Sequence, residues 1–262
     1  MTPRLVKQLL YGAFYLLAIA VIFLIIYFIF LKPAPTCSDE RRNQGETGID
    51  CGGPCPPCEL VQLKSLEVVN NSVKVLPARE NEISLLAEIV NPNLNFGAQK
   101  FSYQFKVIGL FGILRETIDG QSFIYPGEQK YLIEAAVKIS SQDVSRVELT
   151  IKKEDLVWQS KEELVKPNLS ARSVKTEIAN QEIKVKGLIK NEDPLLISKV
   201  KIIAILYDRQ NKVLNTSFTT ITDLKGLTEE FFNIGLPKGE WMKQLEPNKT
   251  ETKIFIEPEP RL

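Results

Sequence analysis

The chain has 262 residues, 33 Lys plus Arg against 32 Asp plus Glu, no histidine, four cysteines and 44% hydrophobic residues. That is the composition of one large or two ordinary globular domains, which excludes disorder over the whole chain, and a net charge of +1 without a basic stripe carries no signature of nucleic-acid binding. The absence of histidine removes Ser-His-Asp and Cys-His catalysis, His-ligated zinc and a proximal haem imidazole, leaving carboxylate, Ser-Lys and thiol chemistry and oxygen-ligated metals.

Residues 9–31, LLYGAFYLLAIAVIFLIIYFIFL, contain no charged or strongly polar side chain. A helix of that length covers ~34 Å at ~1.5 Å per residue, enough for a ~30 Å hydrocarbon layer, so a single N-terminal transmembrane helix is predicted. A buried core helix would need a domain around it, and only eight residues precede the run. A cleaved signal peptide has a shorter apolar region, and the stretch after this one, Pro33-Ala34-Pro35-Thr36, is rich in proline. Arg4, Lys7 and the free amine precede the helix and Lys32 alone follows it directly, which predicts a cytoplasmic N-terminus and export of the rest.

All four cysteines, Cys37, Cys51, Cys55 and Cys58, fall in the next segment, which is also rich in Gly and Pro. An even count in an exported segment predicts two disulfides, with three pairings open. A Cys55–Cys58 ring across Pro56-Pro57 would be strained, which favours Cys37 bonding one of the other three. Two alternatives use the same residues: a Cys55/Cys58 thiol-disulfide oxidoreductase pair, which lacks the usual βαβ setting, and a zinc site, which lacks paired C-x2-C knuckles. Asp39, Asn43, Glu46 and Asp50 give an acidic, amide-rich loop over 39–50, read as a hydrated loop with calcium as the alternative. No other cofactor is implied.

From Leu60 the pattern becomes short runs of Val, Ile, Phe, Tyr and Thr separated by turn residues. Ile83, Leu85, Ala87 and Ile89 alternate as in a half-buried strand, Ile183, Val185, Gly187 and Ile189 repeat the register, and Asn91 is matched by Asn191. Phe101, Tyr103, Phe105 and Val107 answer to Val200, Ile202, Ala204 and Leu206, which indicates a duplicated domain. Further strands are predicted at 61–69, 113–118, 121–125, 129–138 and 145–151, then at 169–178, 212–222, 229–234 and 251–256. Six or seven short strands per copy predict antiparallel β-sandwiches. Asn91 and Asn191 are assigned to strand-end turns, where Asn tolerates the left-handed region and bonds its own backbone. Tyr207, Trp241 and Met242 fit the core pattern less well and are the candidate contact residues.

The Cys-rich segment resembles a module of bacterial secreted and surface proteins through Asn43, Glu46, Thr47, Asp50, Cys51, Gly52, Gly53 and Cys55, with Asp39-Glu40 where that module has Asp-Gly. The second β copy resembles the FxLYD family through Gly187, Asn191 and Leu206-Tyr207-Asp208, with Ala204 in place of the leading Phe. The first is closer to the late-embryogenesis-abundant type through Val90-Asn91-Pro92-Asn93. These resemblances imply immunoglobulin- or fibronectin-like folds, an extracytoplasmic location, a binding or envelope role, and no catalytic residues.

The expected organisation is mainly β: a cytoplasmic tail at 1–8, the membrane helix at 9–31, a Cys-rich stalk at 32–59, a first sandwich at 60–160, a linker at 161–168 and a second sandwich at 169–262. The expected function is that of a non-enzymatic, single-pass membrane protein of the bacterial envelope, held in the bilayer through 9–31 and presenting both sandwiches to a protein partner. No phosphate loop, HExxH or GxSxG element is present.

Overall fold

The computed structural model describes residues 3–27, 37–179, 182–237, 239, 241–242, 245 and 250–260. The chain divides into two compact units, 1–63 and 64–262. In the first, helix α1 (Pro3–Ile26) is apolar on every side beyond Gln8, and from Leu10 to Tyr27 all side chains but Ala18 are exposed. Over the described residues no helix is long and apolar enough to cross a membrane. The apolar run read from the sequence continues through 28–31, outside the described residues. A short helix α2 (Cys58–Val61) closes this unit.

The second unit is all β and antiparallel throughout: β1 (Glu67–Val68), β2 (Lys74–Pro77), β3 (Ile83–Val90), β4 (Phe96–Gly109), β5 (Leu114–Ile124), β6 (Gln129–Val137), β7 (Val144–Ser160), β8 (Leu169–Ala179), β9 (Glu182–Asn191), β10 (Ile197–Asp208), β11 (Val213–Leu224), β12 (Glu229–Gly235) and β13 (Thr250–Pro258). Sheet β1/β2-β3-β6 faces sheet β5-β4-β7, and sheet β8-β9-β12 faces sheet β11-β10-β13. Each pair encloses its own core. Ile83, Leu85, Ala87 and Ile89 meet Phe101, Phe105 and Val107 in the first, and Ile183, Val185 and Ile189 meet Val200, Ile202, Ala204 and Leu206 in the second. The period-two pattern of the sequence is therefore the inward face of both central strand pairs, each large side chain contributing about 1.5–3 kcal/mol by leaving water.

The strand order is repeated, with one difference. In the second copy β8 pairs along all of β9, whereas in the first β1 and β2 share the corresponding edge of β3, since β6 occupies the other. The single strand predicted at 61–69 is thus replaced by α2 and two short strands. Asn71, at φ 58°, turns the chain between them, and the Ser72 hydroxyl both accepts from the Glu88 amide and donates to the Glu88 carbonyl. At the equivalent place β8 has only an irregularity between Arg172 and Lys175.

The strands predicted at 113–118 and 121–125 are one strand, β5. Gly120, between the two predicted segments, lies within it because the Tyr103 ring crosses its surface where a Cβ would stand. The strand predicted at 145–151 runs on to Ser160 as β7, up to the linker segment.

Asn91 and Asn191 close their strands partly as predicted, each bonding the backbone two residues on, but without the left-handed conformation. Neither has positive φ. Both are buried, and both use their amides as clips. Asn91 Nδ2 donates to the carbonyls of Phe96 (2.7 Å) and Tyr125 (3.0 Å) while its Oδ1 accepts from the Asn93 amide (3.0 Å). Asn191 Nδ2 donates to Leu195 (2.8 Å) and Leu224 (3.3 Å) while its Oδ1 accepts from the Asp193 amide (3.0 Å). The side chain ties three chain segments together at each site, so a buried polar group is satisfied where the strand ladder stops.

Candidate functional site

In the Cys-rich module the disulfides are Cys37–Cys55 and Cys51–Cys58. Cys55 and Cys58 bond different partners, so the vicinal redox pair considered from the sequence is not formed. The carboxylates of the loop serve the loop's own backbone. Asp50 Oδ1 and Oδ2 accept from the amides of Asp39 and Glu40 at 2.9 Å each, Asp39 Oδ2 accepts from Asn43 Nδ2 at 2.8 Å, and Glu46 Oε2 accepts from the Asn43 amide at 3.1 Å. Amide N–H groups aimed at a carboxylate repel a cation from the same oxygens. Among the described residues Asp39, Glu46 and Asp50 do not converge, and the cluster Cys37, Glu46 and Cys55 consists of a carboxylate beside one cystine, whose sulfurs are not thiolates. Glu40, where the resembling module has glycine, keeps the left-handed turn at φ 58°.

A third apolar cluster lies between the two sandwich-like halves. Leu76, Leu86 and Ile133 on the outer face of sheet β1/β2-β3-β6 pack with Ile203, Ile205 and Tyr207 on the outer face of sheet β11-β10-β13, and Tyr131 and Phe255 stack at 4.5 Å beside them. Polar contacts frame this seam: the Tyr125 hydroxyl donates to the Pro258 carbonyl at 3.1 Å and Asn215 Nδ2 to the Pro77 carbonyl at 2.8 Å. Tyr207, expected as an exposed contact residue, is 8% exposed and shares a hydrogen bond with the Tyr131 hydroxyl. The sequence carried the signal. In 202–207, Ile-Ile-Ala-Ile-Leu-Tyr, the strand is apolar at consecutive positions, which marks burial on both faces.

One end of the seam opens into a cleft of about 710 Å³. Inside it Lys130 Nζ lies 3.3 Å from Glu257 Oε2, both side chains nearly out of solvent, and 3.6 Å from the centre of the Phe123 ring. Burial holds the Lys130 and Lys201 ammonium groups below the ordinary lysine pKa against the opposing pull of Glu257. Lys201 is the register partner of Glu257 across β10 and β13 and lies over the Phe218 ring at 4.3 Å. Among the described residues it has no carboxylate within ion-pair distance. Among the described residues Glu257 Oε1 is buried without a hydrogen-bond partner. The Tyr103 hydroxyl at the margin donates to Glu134 at 2.7 Å, and burial followed by that bond pushes its pKa far up.

Two other surfaces bear on binding. The turn joining β4 to β5 carries Leu110, Phe111, Ile113 and Leu114, all exposed, with Phe111 97% exposed at φ 60°. The equivalent turn of the second copy, between β10 and β11, is Asp208 to Lys212 and polar. Trp241 and Met242 are half-buried and pack against the second core, Trp241 with its indole Nε1 unpartnered among the described residues. Sequence reasoning singled out Trp241 and Met242 and passed over Phe111, whose signal was an apolar run at a turn.

No family model matches the chain, and no curated protein matches it. Among solved structures, a transglutaminase of red sea bream aligns at 9% identity over 76% of this chain and 29% of its own, with a TM-score of 0.25. A glycosyl hydrolase family 2 member from Bacteroides cellulosilyticus aligns at 13% identity over 60% of this chain and 22% of its own, with a TM-score of 0.22. The chain thus spans less than a third of either structure, and likenesses this distant assign neither a family nor an activity.

Proposed function

We propose that the protein is a single-pass, membrane-anchored binding protein of a bacterial envelope, with its N-terminus in the cytoplasm and two immunoglobulin- or fibronectin-like sandwiches displayed outside to a protein partner. The observation that carries this reading is an all-round-apolar helix followed directly in sequence by a module closed by two disulfides. A helix without a polar face finds its solvent in lipid, and cystines persist in oxidising compartments. The binding role is supported by the Leu110–Leu114 turn, an apolar tip that the fold does not require, since the second copy makes the same connection with polar residues.

Protease added to intact spheroplasts tests the topology: digestion of 37–262 with protection of α1 is the expected result, and digestion only after the membrane is breached rejects it. Thiol labelling under native conditions is expected to modify no cysteine until reductant is added.

A further inference from the structure

We infer that the cleft between the two sandwich-like halves binds a small monoanionic polyol, a sugar acid, whose carboxylate pairs with Lys201 and whose hydroxyl donates to Glu257 Oε1. The inference is independent of the membrane reading and rests on the cleft alone.

Glu257 is 9% exposed, and one of its two carboxylate oxygens is taken by Lys130. The other, Oε1, has no donor among the described residues. A buried ionised oxygen left unmatched costs more than the same atom in water, so the cleft lacks one hydrogen-bond donor. Charge decides what kind. Lys130 stands 3.3 Å from the carboxylate and Lys201 opposes it across the ladder, so two cations already surround one anion. A third cation from a ligand amine would be repelled, and a neutral hydroxyl would not.

The same imbalance selects the other end of the ligand. Lys201 is mostly buried and without a carboxylate at ion-pair distance among the described residues, so it offers a desolvated positive charge to an incoming anion. Lys199 nearby is held to Glu259 at 3.8 Å. Lys130, Lys199 and Lys201 against Glu257 and Glu259 leave the lining one positive charge in excess, which a single carboxylate matches and a doubly charged phosphate ester overshoots. Gln99, Gln121, Ser122 and Ser198 supply neutral donors and acceptors along the wall, the residue types that match a run of hydroxyl groups. The volume lies within the ~300–1,000 Å³ typical of small-molecule sites.

The test is calorimetric titration and thermal melting of the full chain in detergent micelles, with sodium D-glucuronate, D-glucose, acetate and glycine compared. Glucuronate is expected to bind saturably with a dissociation constant of ~1 mM or tighter and to raise the melting temperature. Glucose lacks the anion, acetate the hydroxyls, and glycine replaces a hydroxyl with an ammonium; each is expected to bind about tenfold more weakly or worse. Lys201→Met is expected to weaken glucuronate binding about tenfold or more while the protein stays folded, and Gln121→Ala, at an exposed position, is expected to weaken it by a smaller factor without touching the core. No saturable glucuronate binding, equal binding of acetate, glucose or glycine, or undiminished affinity in folded Lys201→Met each overturns the inference.

Discussion

Asn91 and Asn191 stand one hundred positions apart and make the same three-way clip, each donating its side-chain amide to a carbonyl at or just before the start of the next strand and to one at or just past the end of the strand after that. Their backbones repeat the match: the Asn91 amide donates to Glu128 and the Asn191 amide to Thr228. Alanine at either position would leave buried carbonyls without donors, at about 2–3 kcal/mol. Each of Asn91→Ala and Asn191→Ala is expected to lower the urea midpoint by a similar amount, as denaturation followed by tryptophan fluorescence would show.

Glu40 occupies a left-handed conformation that favours glycine. Glu40→Gly relieves that strain and is expected to stabilise the module by ~0.5–1 kcal/mol. The measurement is the dithiothreitol concentration needed to expose thiols in 37–58, which should rise. Asp50→Asn, by weakening the charged acceptor of two amides, should lower it.

At the β4–β5 turn, Phe111→Asp removes an almost fully exposed ring. The melting temperature should be unchanged within error, while crosslinking of the protein partner in intact cells should fall about tenfold or more, as for a central aromatic anchor. Loss of stability with retained crosslinking would assign the turn to folding instead.

The buried Lys201 gives a pH signature. Burial holds its folded pKa below the ordinary 10.5. Below that folded value both states carry the proton and the native state bears the desolvation cost. Between the folded value and 10.5 the unfolded chain binds more protons than the native one, so stability rises with pH. Lys201→Met removes the cost and is expected to be more stable than the parent by about 1 kcal/mol near neutrality. The difference should shrink as the pH climbs toward 10.5, in thermal melts collected across that range.

Ile205 lies in the seam, fully buried against the other half. Ile205→Ala is expected to cost about 2–4 kcal/mol, comparable to a core position, although the residue points away from the core of its own sandwich. A single unfolding transition displaced as a whole is the expected result, and a second, separate transition would show that the halves melt apart.

Much of the fold could be read from alternation alone. Ile83 to Ile89 and Val200 to Leu206 place their even-spaced apolar residues in the two cores, because a strand buried on one face must repeat with period two. β5 reads as two strands split at 119–120, and 61–69 as one strand, because the tertiary partners Tyr103 and Ser72, which make the observed conformations favourable, do not show in the local sequence. The clip of Asn91 was legible as an asparagine at a strand end, though its mechanism needed the positions of Phe96 and Tyr125. The cleft was invisible, since Lys130 and Glu257 are 127 positions apart and ordinary surface residues by composition. Only the doubly apolar 202–207 run hinted that a second face was covered.

The shared wall of Leu76, Leu86, Ile203 and Ile205 also constrains how the two halves can change in sequence. Neither copy can drift to a polar outer sheet, be lost, or be shuffled into another protein without stranding the hydrocarbon of its sibling. Substitutions along that wall should therefore appear as matched pairs across relatives rather than as independent events.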